Sequence, residues 1–296
     1  MTRVTQNMMN SNMLRNLYRS TDSLYRLQDQ LSSGKKIARP SDDPVVASRA
    51  MFYRSSLIEN EQYQQNVNEA QGWMEVSDSA LGEASDILRR VRELIIESND
   101  VALDPTAIKA IGAEIAQIRD HMGNISNQTI GGKYIFAGTD TLRPPFNVAT
   151  GSFDNTNSTD ITLEMGQTIY LPINVNGQEV FNYPTSADNM FALLDRISSQ
   201  ALNGQGVAQT DLGALDRQID NVLSVRATLG ARMNRMELMA QRLSDQNLDI
   251  TKLKSENEDA DAAEVITKLR TQETVYQAAL GAGARILQPS LMDYLR

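Results

Sequence analysis

The chain contains no cysteine and only one histidine, His121, among 296 residues. Without cysteine there can be no disulfide framework, thiolate zinc cluster or thiol nucleophile. A lone histidine lacks the partners that a metal site or a general base needs, and the expected state of His121 is a solvated or hydrogen-bonded helix residue. Aromatic residues are only 5% of the sequence, few for a ring-lined ligand pocket. Positive charge is in deficit: 28 Lys and Arg against 37 Asp and Glu leave a net −9. That argues against bulk affinity for nucleic acid, whose binding is dominated by basic contacts to phosphate. No apolar run is long enough to cross a bilayer, and Met1-Thr2-Arg3-Val4 opens no apolar segment followed by a small-residue cleavage site. The expectation is a chain with no cofactor, no metal, no nucleic acid partner, no membrane insertion and no enzymatic activity. If it is exported, it leaves by a route that needs no cleaved signal.

What the sequence does have is a matched pair of ends. Met13, Leu17, Ser20, Leu24, Leu27 and Leu31 recur at alternating spacings of four and three. Val265, Leu269, Gln272, Tyr276, Ala279, Gly283 and Ile286 repeat the pattern near the other terminus, with Leu287 beside the last of them. A 3.5-residue repeat places one seam along one side of a helix, and such a seam is buried against another helix. Two long terminal helices of this kind indicate a subunit that polymerises through its ends. Helices of this length are only marginally ordered alone in water, so they are expected to fold fully against neighbouring copies. Charge follows the same division. Residues 1–40 carry seven basic and two acidic side chains, a net +5, and residues 245–264 carry two basic and seven acidic ones, a net −5. The acidic stretch is the simplest partner for the basic one, with two ordinary solvated helix faces as the alternative, and pairs of this sort select orientation more than they add stability.

Between the ends the pattern runs helix, sheet, helix. Ser33-Gly34 gives a helix stop, and Ser41-Asp42-Asp43-Pro44 a restart, with a capping carboxylate and a proline in the first turn. A polar helical stretch from Val45 to Gln71 is expected to break or bend at Gly72 and to continue from Ala80 to Glu97, with Trp73 anchoring the break. Asp104-Pro105 opens a third helix. From Ile130 the chain is punctuated by glycine and proline, and residues 134–136, 161–163, 168–171 and 173–175 read as short strands. Helix resumes near Ala187, pauses at 204–206 and runs from about Leu212 to the end. The architecture expected is mainly α with a β-rich insert. Residues 1–44 plus 255–296 form the terminal coiled-coil assembly region. Residues 45–129 plus 186–254 form an elongated helical rod, and 130–185 a small β domain at its tip, facing solvent.

Other constellations weigh little. Asp42-Asp43 could be imagined as paired carboxylates, but adjacent side chains diverge and Pro44 favours a helix cap. Asp154-Asn155-Thr156-Asn157 with Asp160 lacks the spacing and distal Glu of a calcium loop, so turn chemistry explains it. Gly131-Gly132 precedes a strand and so is no phosphate cradle. The stripe Met233, Met236, Met239 reads as seam filler, with a chaperone-binding surface as the alternative.

Leu31-Ser32-Ser33-Gly34-Lys35-Lys36-Ile37, followed by Ser41-Asp42-Asp43-Pro44, resembles the N-terminal signature of bacterial flagellins and their relatives. Asn234-Arg235-Met236-Glu237 and 274–280 are similar to the matching C-terminal region. The segment Gly131-Gly132-Lys133-Tyr134-Ile135-Phe136-Ala137-Gly138-Thr139-Asp140, leading into Pro144-Pro145-Phe146, resembles the hook–filament junction members of that superfamily. Residues 288–291, Gln-Pro-Ser-Leu, fit those members better than a flagellin terminus. Gly34, Asp42, Asp43, Pro44, Gly131, Gly132, Tyr134, Phe136, Gly138, Thr139 and Asp140 are thus the family-motif positions. The resemblance implies a flagellin-like structural subunit, secreted through the flagellar type III apparatus and residing outside the cell in the flagellum. It implies neighbouring copies, another hook-associated protein on the hook side and flagellin on the filament side as partners. It also implies a cytoplasmic export chaperone that holds the C-terminal arm. A filament-forming flagellin is the alternative, and a surface adhesin a more distant one.

Overall fold

The computed structural model describes residues 6–37, 39–100 and 103–287. It contains seven helices and six short strands among the described residues: α1 (Gln6–Ser33), α2 (Pro44–Ser98), α3 (Pro105–Ser126), β1 (Thr129–Ile130), β2 (Lys133–Tyr134), β3 (Phe146–Asn147), β4 (Ser152–Phe153), β5 (Thr162–Gly166), β6 (Ile169–Pro172), α4 (Gly177–Phe181), α5 (Met190–Leu202), α6 (Gln209–Glu258) and α7 (Ala262–Leu287). The chain divides into two compact units, one formed by residues 1–59 and 246–296 and the other by residues 60–245.

In the larger unit the core is one apolar cluster. It runs from Val67, Met74 and Leu81 on α2 through Ile111, Ile115 and Met122 on α3 to Phe191 and Leu194 on α5, and to Val222, Leu229 and Met236 on α6. Helices α2 and α6 are tied in opposite directions by bidentate Arg226–Asp78 bonds of 2.7 and 3.0 Å and by Arg92–Asp216 at 2.8 Å. Met236 is buried, with Met233 and Met239 packed beside it, so the methionine stripe is core filler.

The three hairpins β1–β2, β3–β4 and β5–β6 are each two-stranded and antiparallel. They do not merge into one sheet. Their aromatic residues instead meet α4 and α5: the Phe136 and Phe181 rings are 5.1 Å apart and edge-on, and Phe146 and Phe191 are 4.5 Å apart. Ring pairs at these separations add to the burial term. Close approach is enforced by glycine. A Cβ at Gly112 on α3 would stand 2.7 Å from the Leu202 backbone nitrogen of α5.

Four local expectations need correction. Of 134–136 only Tyr134 lies in a strand, while Ile135 and Phe136 turn into the core. Helix α2 runs unbroken through Gly72. A Cβ there would meet nothing within 4 Å, so this glycine neither packs nor bends the chain, and the buried neighbours Trp73 and Met74 hold the helix across it. Residues 173–175 do not form a strand. Ile173 donates to the Ile161 carbonyl at 2.9 Å, but the Asn174 side chain then accepts from Ile161 N–H at 2.8 Å and ends the ladder. The last helical run is also interrupted, at 259–261, before α7 begins. There the Asp261 carboxylate accepts from the Ala263 and Glu264 amides at 2.9 and 3.2 Å and caps α7.

Candidate assembly interface

The smaller unit contains both sequence seams. Helices α1 and α7 pack together and run antiparallel, since Met13 lies against Gly283 and Ser20 bonds to Gln272. On α1 the residues turned inward are Met13, Leu17, Ser20, Leu24 and Leu27; on α7 they are Val265, Leu269, Gln272, Tyr276, Ala279 and Gly283. The 3.5-residue spacing is thus spent on this pairing. Leu31 is 39% exposed, and Gln30 continues the stripe in its place, its amide donating to the Lys36 carbonyl at 2.7 Å. Ile286 and Leu287 are within α7, but their side chains lie outside the described residues, as does the whole 288–291 segment.

Two details fix the register. Met13 fills the hole left by a missing side chain, because a Cβ at Gly283 would stand 1.8 Å from its Cε. Farther along, the buried Ser20 hydroxyl accepts from Gln272 Nε2 at 3.0 Å. A polar pair inside an apolar seam is satisfied in one register only.

Beyond the seam the two arms are clasped. Gly34 ends α1 at φ +69, the left-handed conformation that glycine adopts freely. The following backbone pairs with the break between α6 and α7: Lys36 N–H donates to the Glu258 carbonyl at 2.7 Å, and Ala260 N–H to the Gly34 carbonyl at 2.8 Å. The Glu258 carboxylate is 2% exposed and faces Arg54 at 2.8 Å and Lys35 at 3.5 Å. Burial pushes its pKa up, but the two cations outweigh burial and hold it below the usual carboxylate range. Asp43 accepts from the Val45 and Val46 amides at 3.0 and 3.1 Å, and Asp42 from Arg39 N–H at 3.0 Å. These carboxylates are helix-start bonds, and Pro44 is the first residue of α2.

The 131–140 motif lies in the larger unit and serves folding. Gly131 and Gly132 have φ +55 and +79, the two left-handed residues of a tight hairpin turn between β1 and β2. Ile135, Phe136 and Ala137 then plunge into the core at 0% exposure, while Tyr134 stays half-buried. Gly138 turns the chain at φ +64, and Thr139 Oγ1 accepts from Asn157 Nδ2 at 2.7 Å. Asp140 ends the segment 3.8 Å from Arg143.

His121 lies 3.0 Å from Glu83, both about half-exposed. Asp154 accepts from Ser152 at 2.6 Å and Asn147 at 3.0 Å, bonds that hold its carboxyl below the usual range. Among the described residues no group of three or more His, Cys, Asp or Glu is placed to hold a metal, and no helix is long and apolar enough to cross a membrane.

A mid-chain set of hairpins inserted between helices, with paired terminal helices, defines a flagellin-like fold. Residues 4–141 match the bacterial flagellin N-terminal helical region, and residues 212–295 the bacterial flagellin C-terminal helical region. The chain belongs to the bacterial flagellin family. It is 28% identical to flagellar hook-associated protein 3 of Escherichia coli K12 over 301 residues, covering 94% of each chain. It is also 26% identical to the flagellin of Bacillus subtilis 168 over 296 residues, covering 94% of this chain and 93% of that one. A solved flagellar hook-associated protein from Vibrio parahaemolyticus shares the fold, with a TM-score of 0.68 at 20% identity, covering 74% of this chain and all of that one.

Proposed function

We propose that this chain is a structural subunit of the bacterial flagellum that forms the junction layer between hook and filament. The observation that carries the reading is the full-length similarity to hook-associated protein 3, joined to a fold whose two ends form one seam. The subunit is exported through the flagellar type III apparatus and acts outside the cell. Its contribution is mechanical, with no catalytic step. It gives flagellin a first surface on which to polymerise.

In this reading 1–44 plus 255–296 carry assembly, 45–129 plus 186–254 form the helical body, and 130–185 faces solvent. The seam residues Met13, Leu17, Leu24, Leu27, Leu31, Val265, Leu269, Tyr276, Ala279, Ile286 and Leu287 act in assembly. The partners are neighbouring copies, another hook-associated protein on the hook side, flagellin on the filament side, and before export a cytoplasmic chaperone on the C-terminal arm. What supports the division of labour is that the α1–α7 pair buries a single narrow stripe and leaves apolar residues such as Tyr18 and Val275 exposed.

The test is electron microscopy of cells lacking the protein, with the medium assayed for flagellin. Bare hooks and shed flagellin are the expected result, and normal filaments would refute it. The likeness to Bacillus subtilis flagellin supports a filament subunit as the second reading. In that case the hooks would be bare and no flagellin would be shed.

A further inference from the structure

Lys35 and Lys36 reach the acidic stretch within the same chain: Lys35 Nζ is 3.5 Å from Glu258, and Lys36 Nζ donates to the Glu256 carbonyl at 2.9 Å. Among the described residues, the basic side chains of α1 do not. Arg15, Arg19 and Arg26 are exposed along α1, and Asp245, Asp249 and Glu256 are exposed along α6. The side-chain contacts of Arg15, Arg26 and Asp245 stay on their own helices: Arg15 with Asn12, Arg26 with Asp22 at 3.3 Å, and Asp245 with Gln241 at 3.1 Å.

The two sets share one spacing. Arg15, Arg19 and Arg26 are separated by four and seven residues, and so are Asp245, Asp249 and Glu256. Steps of four and seven keep side chains on one face of a helix, here over about 16 Å. On the face of each stripe the one opposite charge also corresponds, since Asp22 follows Arg19 by three residues and Lys252 follows Asp249 by three, while Lys254 falls on the other side of α6. Each stripe has an apolar border. Leu14, Tyr18 and Tyr25 line α1 beside the arginines, 52%, 73% and 68% exposed, and Leu248 on α6 is 67% exposed. Positions 14, 18 and 25 keep the heptad spacing of the seam shifted by one residue, about 100° around the helix. A helix with two adjacent heptad stripes packs two partners, and α7 occupies only one.

We propose that the outer stripe of α1, with Arg15, Arg19 and Arg26 flanking Tyr18 and Tyr25, docks on the acidic outer stripe of α6 of a second copy of this chain. The occupant follows from charge: the opposite pattern at the same spacing is displayed by the chain itself. Charge order selects the partner face, and the apolar border supplies burial. The pairing rests on the junction-subunit reading for its setting, since that reading brings copies side by side.

The absence of cysteine makes a clean assay. Full-length chains carrying Tyr18→Cys and Leu248→Cys, with different tags, are mixed at high concentration and treated with a short bis-maleimide. Mixed cross-linked dimers should exceed like-with-like dimers. Reversing Arg15, Arg19 and Arg26 to Glu on the first chain should lower the mixed yield at least tenfold. Reversing Asp245, Asp249 and Glu256 to Lys on the second should then restore it. Circular dichroism confirms that each variant keeps its helix content. A mixed yield no higher than that of a Tyr18→Cys and Leu142→Cys pair overturns the pairing, and so does a loss that the second reversal fails to rescue. Neither failure touches the junction reading, which stands or falls on the filaments of cells lacking the protein.

Discussion

Two helical glycines in the larger unit should respond to the same substitution with opposite sign. Gly72 and Gly112 both lie inside helices, so replacing either by alanine gains about 1 kcal/mol of helix propensity. At Gly72 the new Cβ meets nothing within 4 Å, and that gain stands alone. At Gly112 it would stand 2.7 Å from the Leu202 backbone nitrogen and 3.0 Å from the Ala201 carbonyl carbon. Backbone in the last turn of α5 cannot rotate aside as a side chain can. Overpacking of this kind costs about 1–3 kcal/mol, so Gly112→Ala should lose up to about 2 kcal/mol net of propensity. For a cooperative unit of roughly 190 residues, 1 kcal/mol moves the midpoint by about 2–4 °C. Thermal unfolding followed by far-UV circular dichroism should therefore show Gly72→Ala up by about 2–4 °C and Gly112→Ala down by up to about 8 °C. A lowered midpoint for Gly72→Ala would mean that α2 does bend there. A raised one for Gly112→Ala would refute the close α3–α5 approach.

Leu269→Pro breaks α7, at a helix-interior cost of about 3 kcal/mol, and Leu27→Asp puts a charge into the same seam. Both should abolish assembly while leaving the main unfolding transition of 60–245 in place, and a lowered main transition would show that the units do not fold separately. Glu258, with its pKa held below the usual carboxylate range, stabilises the clasp at any pH above that range and ceases to do so as pH falls through its own lowered value. Limited proteolysis near residue 260 should accordingly accelerate on acidification in the natural chain, and the gap between it and Glu258→Gln should close; a gap independent of pH would refute the assignment. Gly132→Ala, at φ +79, should cost about 1–2 kcal/mol, read as a lower urea midpoint, while Gly131→Asn, at φ +55, should be tolerated because asparagine enters that region readily.

The seam was legible because its physics is one-dimensional. A 3.5-residue repeat of Leu, Ala and Gly can face only one way, and Met13 against Gly283 lies where the repeat puts it. The cap at Asp43 was legible for the same local reason. The interruption at 259–261 went unseen, although Asp261 followed three residues later by Glu264 is a capping-box spacing. In a stretch this acidic, a capping carboxylate is not distinguished by composition from a solvated one. Gly72 misled in the opposite direction, since local propensity favours a break and tertiary packing around Trp73 and Met74 overrides it. The hairpins were the hardest part to read. Their strands are two to five residues long, too short for a period to emerge. What orders them is the meeting of Phe136, Phe153, Phe181 and Phe191, residues far apart in the chain with no spacing rule between them.

The residues that mark the family and the residues proposed to act in assembly answer to different constraints. Gly131, Gly132, Phe136 and Gly138 are held by positive φ or complete burial, so almost no other side chain fits and the motif is recognisable. Seam positions ask only for apolar character at a spacing, and many sequences satisfy that. Such a seam gives affinity with little choice of partner. Choice has to come from groups that are costly to mispair, and the exposed charges of α1 and α6 include those at 15, 19, 22 and 26 and at 245, 249, 252 and 256. Like charges brought face to face oppose any register but the complementary one. The terminal seam therefore explains how the two ends of one copy close on each other, and the charge order explains how a copy would recognise its neighbour.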